Sequence, residues 1–154
     1  MQLFGLLSSQ YSSLSLAGGL LPGQIQTNQN TGNVKMFVQN DPSGGNLTVN
    51  AALKFKSGSA TSFIIQPTAA SAHTDYVEGV NDQVTAVVPA GYYFWMTIKG
   101  QCTPLVASGV NIGDTIDASA TAGTLSGSAT KQTNIVAQAA NSSGSAAATA
   151  CYIH

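Results

Sequence analysis

The chain predicts an all-β fold: a compact β-barrel of short antiparallel strands with an extended amino-terminal arm. Three observations carry that expectation. From Lys35 onward, short runs rich in β-branched and aromatic residues alternate with clusters of Gly, Pro, Asn, Asp and Ser, the punctuation of strands and turns. Within one run Leu47, Val49, Ala51 and Leu53 alternate with Thr48, Asn50, Ala52 and Lys54, the period of two of a half-buried strand. Residues 1–34 contain no Asp, Glu, Lys, Arg or His and are interrupted by Gly18, Gly19, Pro22 and Gly23, which suits an arm better than a helix. With 154 residues there is room for one ordinary domain and an appendage. The expected division is an arm over 1–33 and a β-rich domain over 34–154.

In the arm, serines at 8–9 and 12–13 offer the backbone local alternatives to a helix. Extended at about 3.3 Å per residue, thirty residues would span roughly 100 Å. Apolar side chains on a charge-free segment need burial, so Leu3, Phe4, Leu6, Leu7 and Tyr11 are expected to anchor the arm on a neighbouring molecule. Folding back over its own domain is the alternative.

VKMFVQ, LTVNAALKF and TSFIIQ follow as strands, the first two joined as a hairpin by the turn chemistry of Asn40-Asp41-Pro42-Ser43-Gly44-Gly45. Next come Tyr76–Val80, Val84–Val88 and Tyr92–Lys99, with a tight turn at Pro89-Ala90-Gly91. The run Tyr92-Tyr93-Phe94-Trp95-Met96 is the densest aromatic stretch and marks the core or an interface between subunits. Tyr92, Phe94, Met96 and Ile98 share the more uniformly apolar face and are expected inside. Trp95, on the other face, is expected to cover the sheet edge or to meet a neighbouring subunit. The last third reads as strands at Leu105–Ala107, Thr115–Ile116, Gly123–Leu125, Asn134–Ala140 and Ala146–Ile153. Its Ala, Ser, Thr and Gly content makes a thin core that oligomer contacts would supplement.

Composition narrows the function. Apolar residues make up 44% of the chain and charged residues only 7%, with five lysines, no arginine and six acids. A nucleic-acid binder needs a basic face to displace counterions, so no nucleic acid is expected as a partner. So few charges also leave little repulsion between copies, which suits an assembled state. The amino terminus lacks a basic flank and an 18-residue apolar run, so neither a signal peptide nor a membrane span is expected. Cys102 and Cys151 lie far apart, with no CxxC or paired His, and read as two buried thiols, with a disulfide as the alternative.

Catalytic chemistry has few candidates. There is no GxSxG, HExxH, GxxxxGK[ST] or GxGxxG, and the only histidines are His73 and His154. Asp75, Glu78 and Asp82 form the one acidic grouping, read as a solvated loop rim, with a weak Ca²⁺ site as the alternative. No enzyme activity, cofactor or metal is expected.

The segment VPAGYYFWMTIKGQCTPLV, residues 88–106, followed by GVNIGDTIDASATAGTL, residues 109–125, resembles small phage capsid decoration proteins. The shared order is a Pro-Ala-Gly turn into an aromatic strand ending in Lys-Gly, a Gly-Asp turn, a Ser-Ala-Thr-Ala-Gly strand start and a closing apolar strand, here Ala150-Cys151-Tyr152-Ile153. It covers Tyr76 to His154. The resemblance implies a tulip-like β domain that assembles as a homotrimer on the outer capsid surface of the virion and clamps adjacent major capsid proteins. It brings no catalytic residues. A receptor- or carbohydrate-binding β domain of a phage fibre, using Tyr93 and Trp95 to stack on sugars, is the rival expectation, and a capsid-building or tail-tube subunit is another.

Overall fold

The computed structural model describes residues 9–58, 62–69, 76–82, 86–127 and 134–154. They contain twelve strands and no helix: β1 (Ile25–Thr27), β2 (Val34–Asn40), β3 (Ala52–Phe55), β4 (Ile64–Pro67), β5 (Gly79–Val80), β6 (Tyr93–Cys102), β7 (Leu105–Val106), β8 (Thr115–Ala118), β9 (Thr124–Gly127), β10 (Ile135–Ala137), β11 (Ala147–Ala148) and β12 (Cys151–Ile153). The all-β expectation holds.

The strands close into two rings. In the first, β2, β4, β3, β5 and β6 neighbour one another in turn, and β6 pairs back onto β2. In the second, β7 continues β6 beyond Pro104, and β11 runs on into β12. Taking each as one interrupted strand, the order β7, β9, β8, β10, β12 returns to its start through the β12–β6 and β11–β7 pairings.

These are two copies of one barrel. In both, the first and third strands in chain order run parallel and every other neighbouring pair is antiparallel. Registers agree pair by pair. Asn40 opposite Ile65 matches Val106 opposite Leu125, and Phe55 opposite Ile65 matches Ala118 opposite Leu125. Leu53 opposite Gly79 matches Ile116 opposite Ile135, Val80 opposite Thr97 matches Val136 opposite Tyr152, and Met36 opposite Met96 matches Cys102 opposite Cys151. The isolated bridge Leu47–Val88 has its counterpart in Val110–Asn141. Among the described residues, Asn50 (φ 63°) and Phe63 (φ 52°) are the non-glycines in the left-handed region, and the matched positions in the second barrel are Gly113 (φ 87°) and Gly123 (φ 72°).

Side-chain volume is traded between the two interiors. The first barrel packs Leu47, Leu53, Ile65, Phe94 and Met96, with Met36, Phe55 and Ile98 against them. The matched positions in the second carry Val110, Ile116, Leu125, Thr149, Cys151, Cys102, Ala118 and Ile153, smaller at most places. Compensation comes at Gly79, whose counterpart is Ile135. A Cβ at Gly79 would stand 2.9 Å from Met96 Sδ, so the methionine occupies the space that an isoleucine fills in the second barrel.

β6 belongs to both rings, and Gly100 marks the passage with φ 99°. Asn33 fixes it: its Nδ2 donates to the Gln101 carbonyl at 2.8 Å and its Oδ1 accepts from the Gln101 N–H at 2.9 Å. The barrels also touch side by side, through Ala52 N–H to the Gly123 carbonyl (2.8 Å), Gly123 N–H to Thr68 (2.7 Å) and Leu105 N–H to Asn50 (2.8 Å). Ala52, Val77 and Val80 of the first unit join the buried cluster of the second.

Several local expectations are corrected. β2 and β3 do not form a hairpin; β4 lies between them, parallel to β2 and antiparallel to β3. LTVNAALKF is not one strand, because left-handed Asn50 breaks it and pairing begins at Ala52. Tyr76–Val80 contributes only Gly79–Val80. Of Val84–Val88, Val88 forms a bridge, and Val84 lies outside the described residues. The Pro89 turn forms, with Tyr92 N–H bonded to the Pro89 carbonyl at 3.2 Å.

Candidate docking surface

Residues 11–24 fold back over the first barrel as a strap. At one end Tyr11 and Tyr93 exchange both backbone hydrogen bonds, at 2.9 and 2.8 Å. At the other, Gly23 N–H bonds the Phe37 carbonyl and Phe37 N–H bonds that of Gln24. Between them the chain turns on itself, with Ala17 N–H on the Leu14 carbonyl. Glycine is needed at 23, where φ is 89° and any Cβ would run into the Phe63 ring.

The strap covers an aromatic cluster on the outer face of β2 and β6. Ala17, Phe37 and Trp95 are buried there, with Tyr11, Leu14, Leu20 and Tyr93 packed around them. The Phe37 ring lies 6.0 Å from Tyr11, 6.0 Å from Tyr93 and 5.2 Å from Trp95, centroid to centroid. Trp95 is therefore covered by its own chain, not by a sheet edge or a neighbour. Alternation along β6 explains it: Phe94 and Met96 enter the barrel with Tyr92 packed against that cluster, while Trp95 points outward to the strap. The Trp95 Nε1 and Tyr11 hydroxyl are buried with no hydrogen-bond partner among the described residues. Of the expected arm anchors, Tyr11 packs on its own barrel; Leu3, Phe4, Leu6 and Leu7 lie outside the described residues.

Past the strap, β1 adds to β2, with Ile25 opposite Met36 and Thr27 opposite Val34. Among the described residues two strands keep an unpaired side, β1 beside β2 and the two-residue β11 beside β7, and β1 is the longer. β1 carries no charge, proline or bulge, the usual devices that protect an edge. The same segment of chain carries exposed apolar side chains: Leu16 (66% exposed), Leu21 (58%) and Ile25 (57%). An open edge and three exposed aliphatic residues thus share one charge-free segment.

A recess of about 250 Å³ opens at the mouth of the first barrel, where Asn134 and His154 of the second unit also reach it. Met36, Phe55, Met96 and Ile98 line it, with Tyr76 and Glu78 at the rim. Burial raises the Glu78 carboxyl above its ordinary value.

Of the acidic grouping expected from sequence, the two described members sit apart, Glu78 at the recess and Asp82 against Thr97 and Thr103. Asp75 lies outside the described residues, as does His73. Asp82 accepts from Thr97 Oγ1 (2.7 Å) and Thr103 N–H (3.1 Å) between the barrels. Lys35 is buried there too, its Nζ 3.5 Å from Thr97 Oγ1; burial pushes its ammonium below the usual value, and Asp82 pulls it back up. No group of three His, Cys, Asp or Glu side chains among the described residues is placed to hold a metal. Cys102 and Cys151 are free, buried and directly opposite each other on β6 and β12. Burial raises both thiols, that of Cys151 to about 12. No described helix is long and apolar enough to cross a membrane.

Sequence periodicity missed the repeat, the strap and the recess, since all three depend on which strands become neighbours. The signal within reach was the charge-free segment itself. No family model, curated protein or solved structure matches the chain.

Proposed function

We propose that this is a structural virion protein that binds the outer surface of an assembled phage capsid as a homotrimer and stabilises the shell by clamping neighbouring major capsid proteins. The observation that carries the reading is the coincidence of the open β1 edge with exposed Leu16, Leu21 and Ile25 on a segment without charge. An open edge offers main-chain hydrogen bonds to an added strand, and flanking apolar side chains supply the area that holds it. The resemblance of residues 76–154 to capsid decoration proteins supplies the partner. A protein that binds only the assembled lattice stabilises each site by about 2.7 kcal/mol at a hundredfold excess over Kd. Repeated over a shell, that resists internal pressure. Of the two stacking residues of the fibre reading, Trp95 is fully buried and Tyr93 half-buried, which favours the docking reading.

Co-sedimentation with undecorated, expanded heads tests the proposal, with unexpanded procapsids as the control. Saturable binding at a fixed ratio to capsid subunits is the expected outcome. Absence of binding to both particles refutes it.

A further inference from the structure

The two barrels end differently at matched positions. In the second, Cys102, Ala118, Cys151 and Ile153 are buried together with Val77 and Ile135. In the first, the counterparts Met36, Phe55 and Ile98 are only half-buried around the recess, although they are at least as large and apolar. The fourth counterpart, Met96, is fully buried, and its Sδ takes the space beside Gly79 that Ile135 fills in the second barrel. Among the described residues the mouth of the first barrel is thus left partly open, as the recess.

Its rim adds a specific chemistry. Glu78 is the acidic side chain among the described residues lining the recess, and none of the described residues gives its carboxylate a hydrogen bond or ion pair. The Tyr76 side chain beside it is 60% exposed. His154, also at the rim, is turned onto Tyr152 with ring centroids 5.1 Å apart. The protein's described lysines are elsewhere: Lys35 is buried with Thr97, Lys56 is paired with Asp41 at 2.9 Å, Lys54 lies opposite Gln66, and Lys99 follows Ile98 and so takes the other face of β6. Methionine side chains adapt to the shape of what they receive, aromatic faces attract cations, and an unpaired carboxylate takes a cation best of all. That combination suits a long cationic side chain with an apolar stem.

The recess lies one strand in from the open edge. Ile25 lies directly opposite Met36, and directly opposed residues in antiparallel strands project to the same face. A strand added to the free side of β1 would bring every second side chain to the face on which the recess opens, about 10 Å from β2 and within reach of a long side chain. We propose that the recess receives a lysine or arginine side chain of the partner, carried on an extended segment paired with β1, with its methylene stem over Met36 and Ile98 and its cation at Glu78 and Tyr76. The identity of the partner rests on the docking reading above; the chemistry of the recess does not.

The chain has three methionines, so methyl-labelled full-length protein reports the site directly. Titration with N-acetyl-arginine amide should move the Met36 and Met96 methyl signals. The neutral isostere N-acetyl-citrulline amide should bind about tenfold more weakly, and Glu78→Gln should abolish that difference. Equal shifts from the two amides, or none at Met36 and Met96, would overturn the assignment. In co-sedimentation, Glu78→Gln should weaken binding to expanded heads about tenfold, whereas Lys99→Gln should not. Unchanged binding by Glu78→Gln refutes the recess while leaving docking in place. If the unaltered protein fails to bind heads, docking falls, and the amide titration alone decides the recess.

Discussion

Replacing Phe37 with alanine tests whether the aromatic cluster is what holds the strap. Phe37 is fully buried and sits among three other rings at 5.2 to 6.0 Å. Truncating a buried phenylalanine costs about 3–5 kcal/mol, of which each ring pair supplies about 0.5–1.5. The internal repeat provides a matched comparison. Phe55 is half-buried at the mouth of the first barrel, with one ring contact to Phe63 at 6.2 Å, and the second barrel has Ala118 at the same position. Half the burial of such a side chain corresponds to about 1–1.5 kcal/mol, so Phe55→Ala should be several times milder. In a chain of this size each kcal/mol moves Tm by about 2–4 °C. Phe37→Ala should lower it by roughly 6–20 °C, and Phe55→Ala by roughly 2–6 °C. Urea unfolding followed through the single tryptophan reads stability and cluster together, since Trp95 lies in contact with Phe37. Native emission should shift to the red in Phe37→Ala and stay unchanged in Phe55→Ala. A cost below about 1 kcal/mol for Phe37→Ala, or equal costs for both variants, would refute the reasoning.

Gly123→Ala should destabilise by about 1–3 kcal/mol, because φ is 72° and the new methyl would stand 3.0 Å from the Ala51 Cβ across the barrel junction; a melting curve like that of the parent chain would contradict this. Asn50→Gly, which installs the residue of the matched Gly113, should be neutral or stabilise by up to about 1 kcal/mol in the same assay. Both thiols should resist a thiol-specific reagent at pH 8 in the native protein and react fully in denaturant, as buried groups with raised values do; rapid native labelling would show the β6–β12 seam open. Burial holds Lys35 below the ordinary 10.5, so between its folded value and 10.5 the unfolded chain keeps a proton that the folded chain has released. This group's contribution to stability therefore rises with pH through that window. Lys35→Met should abolish the rise, seen as a smaller pH dependence of the urea midpoint, and parallel curves for the two proteins would rule it out.

Strand content was legible in the sequence because it is written locally. The aromatic run at 92–96, the Pro89 turn and the apolar pairs around Leu105, Ile116 and Leu125 all form strands or turns where period and punctuation put them. Pairing was not legible. The hairpin expected between β2 and β3 looked natural because its turn residues are good, yet β4 inserts between them, and nothing in a turn reports a third strand. The repeat was hidden for a related reason: matched positions conserve inwardness while changing size, as Met36 and Cys102 or Phe55 and Ala118 do, and Gly79 against Ile135 even reverses the trend. Of the docking surface, the charge-free segment was readable but its geometry was not. Tyr11 and Leu20 turn inward while Leu16, Leu21 and Ile25 turn outward, and no periodicity separates the two sets in a segment made of turns.

The sharing of β6 has a mechanical consequence. Two barrels joined by a linker would answer a pull by bending at the joint, and the load would be lost in reorientation. Here the wall that closes one barrel continues through Gly100 as the wall that opens the other, and Asn33 ties the crossing to the strand before it. Tension applied along that strand is carried as shear by backbone hydrogen bonds on both sides of the crossing. The two barrels must therefore stretch together, like consecutive bays of a single truss.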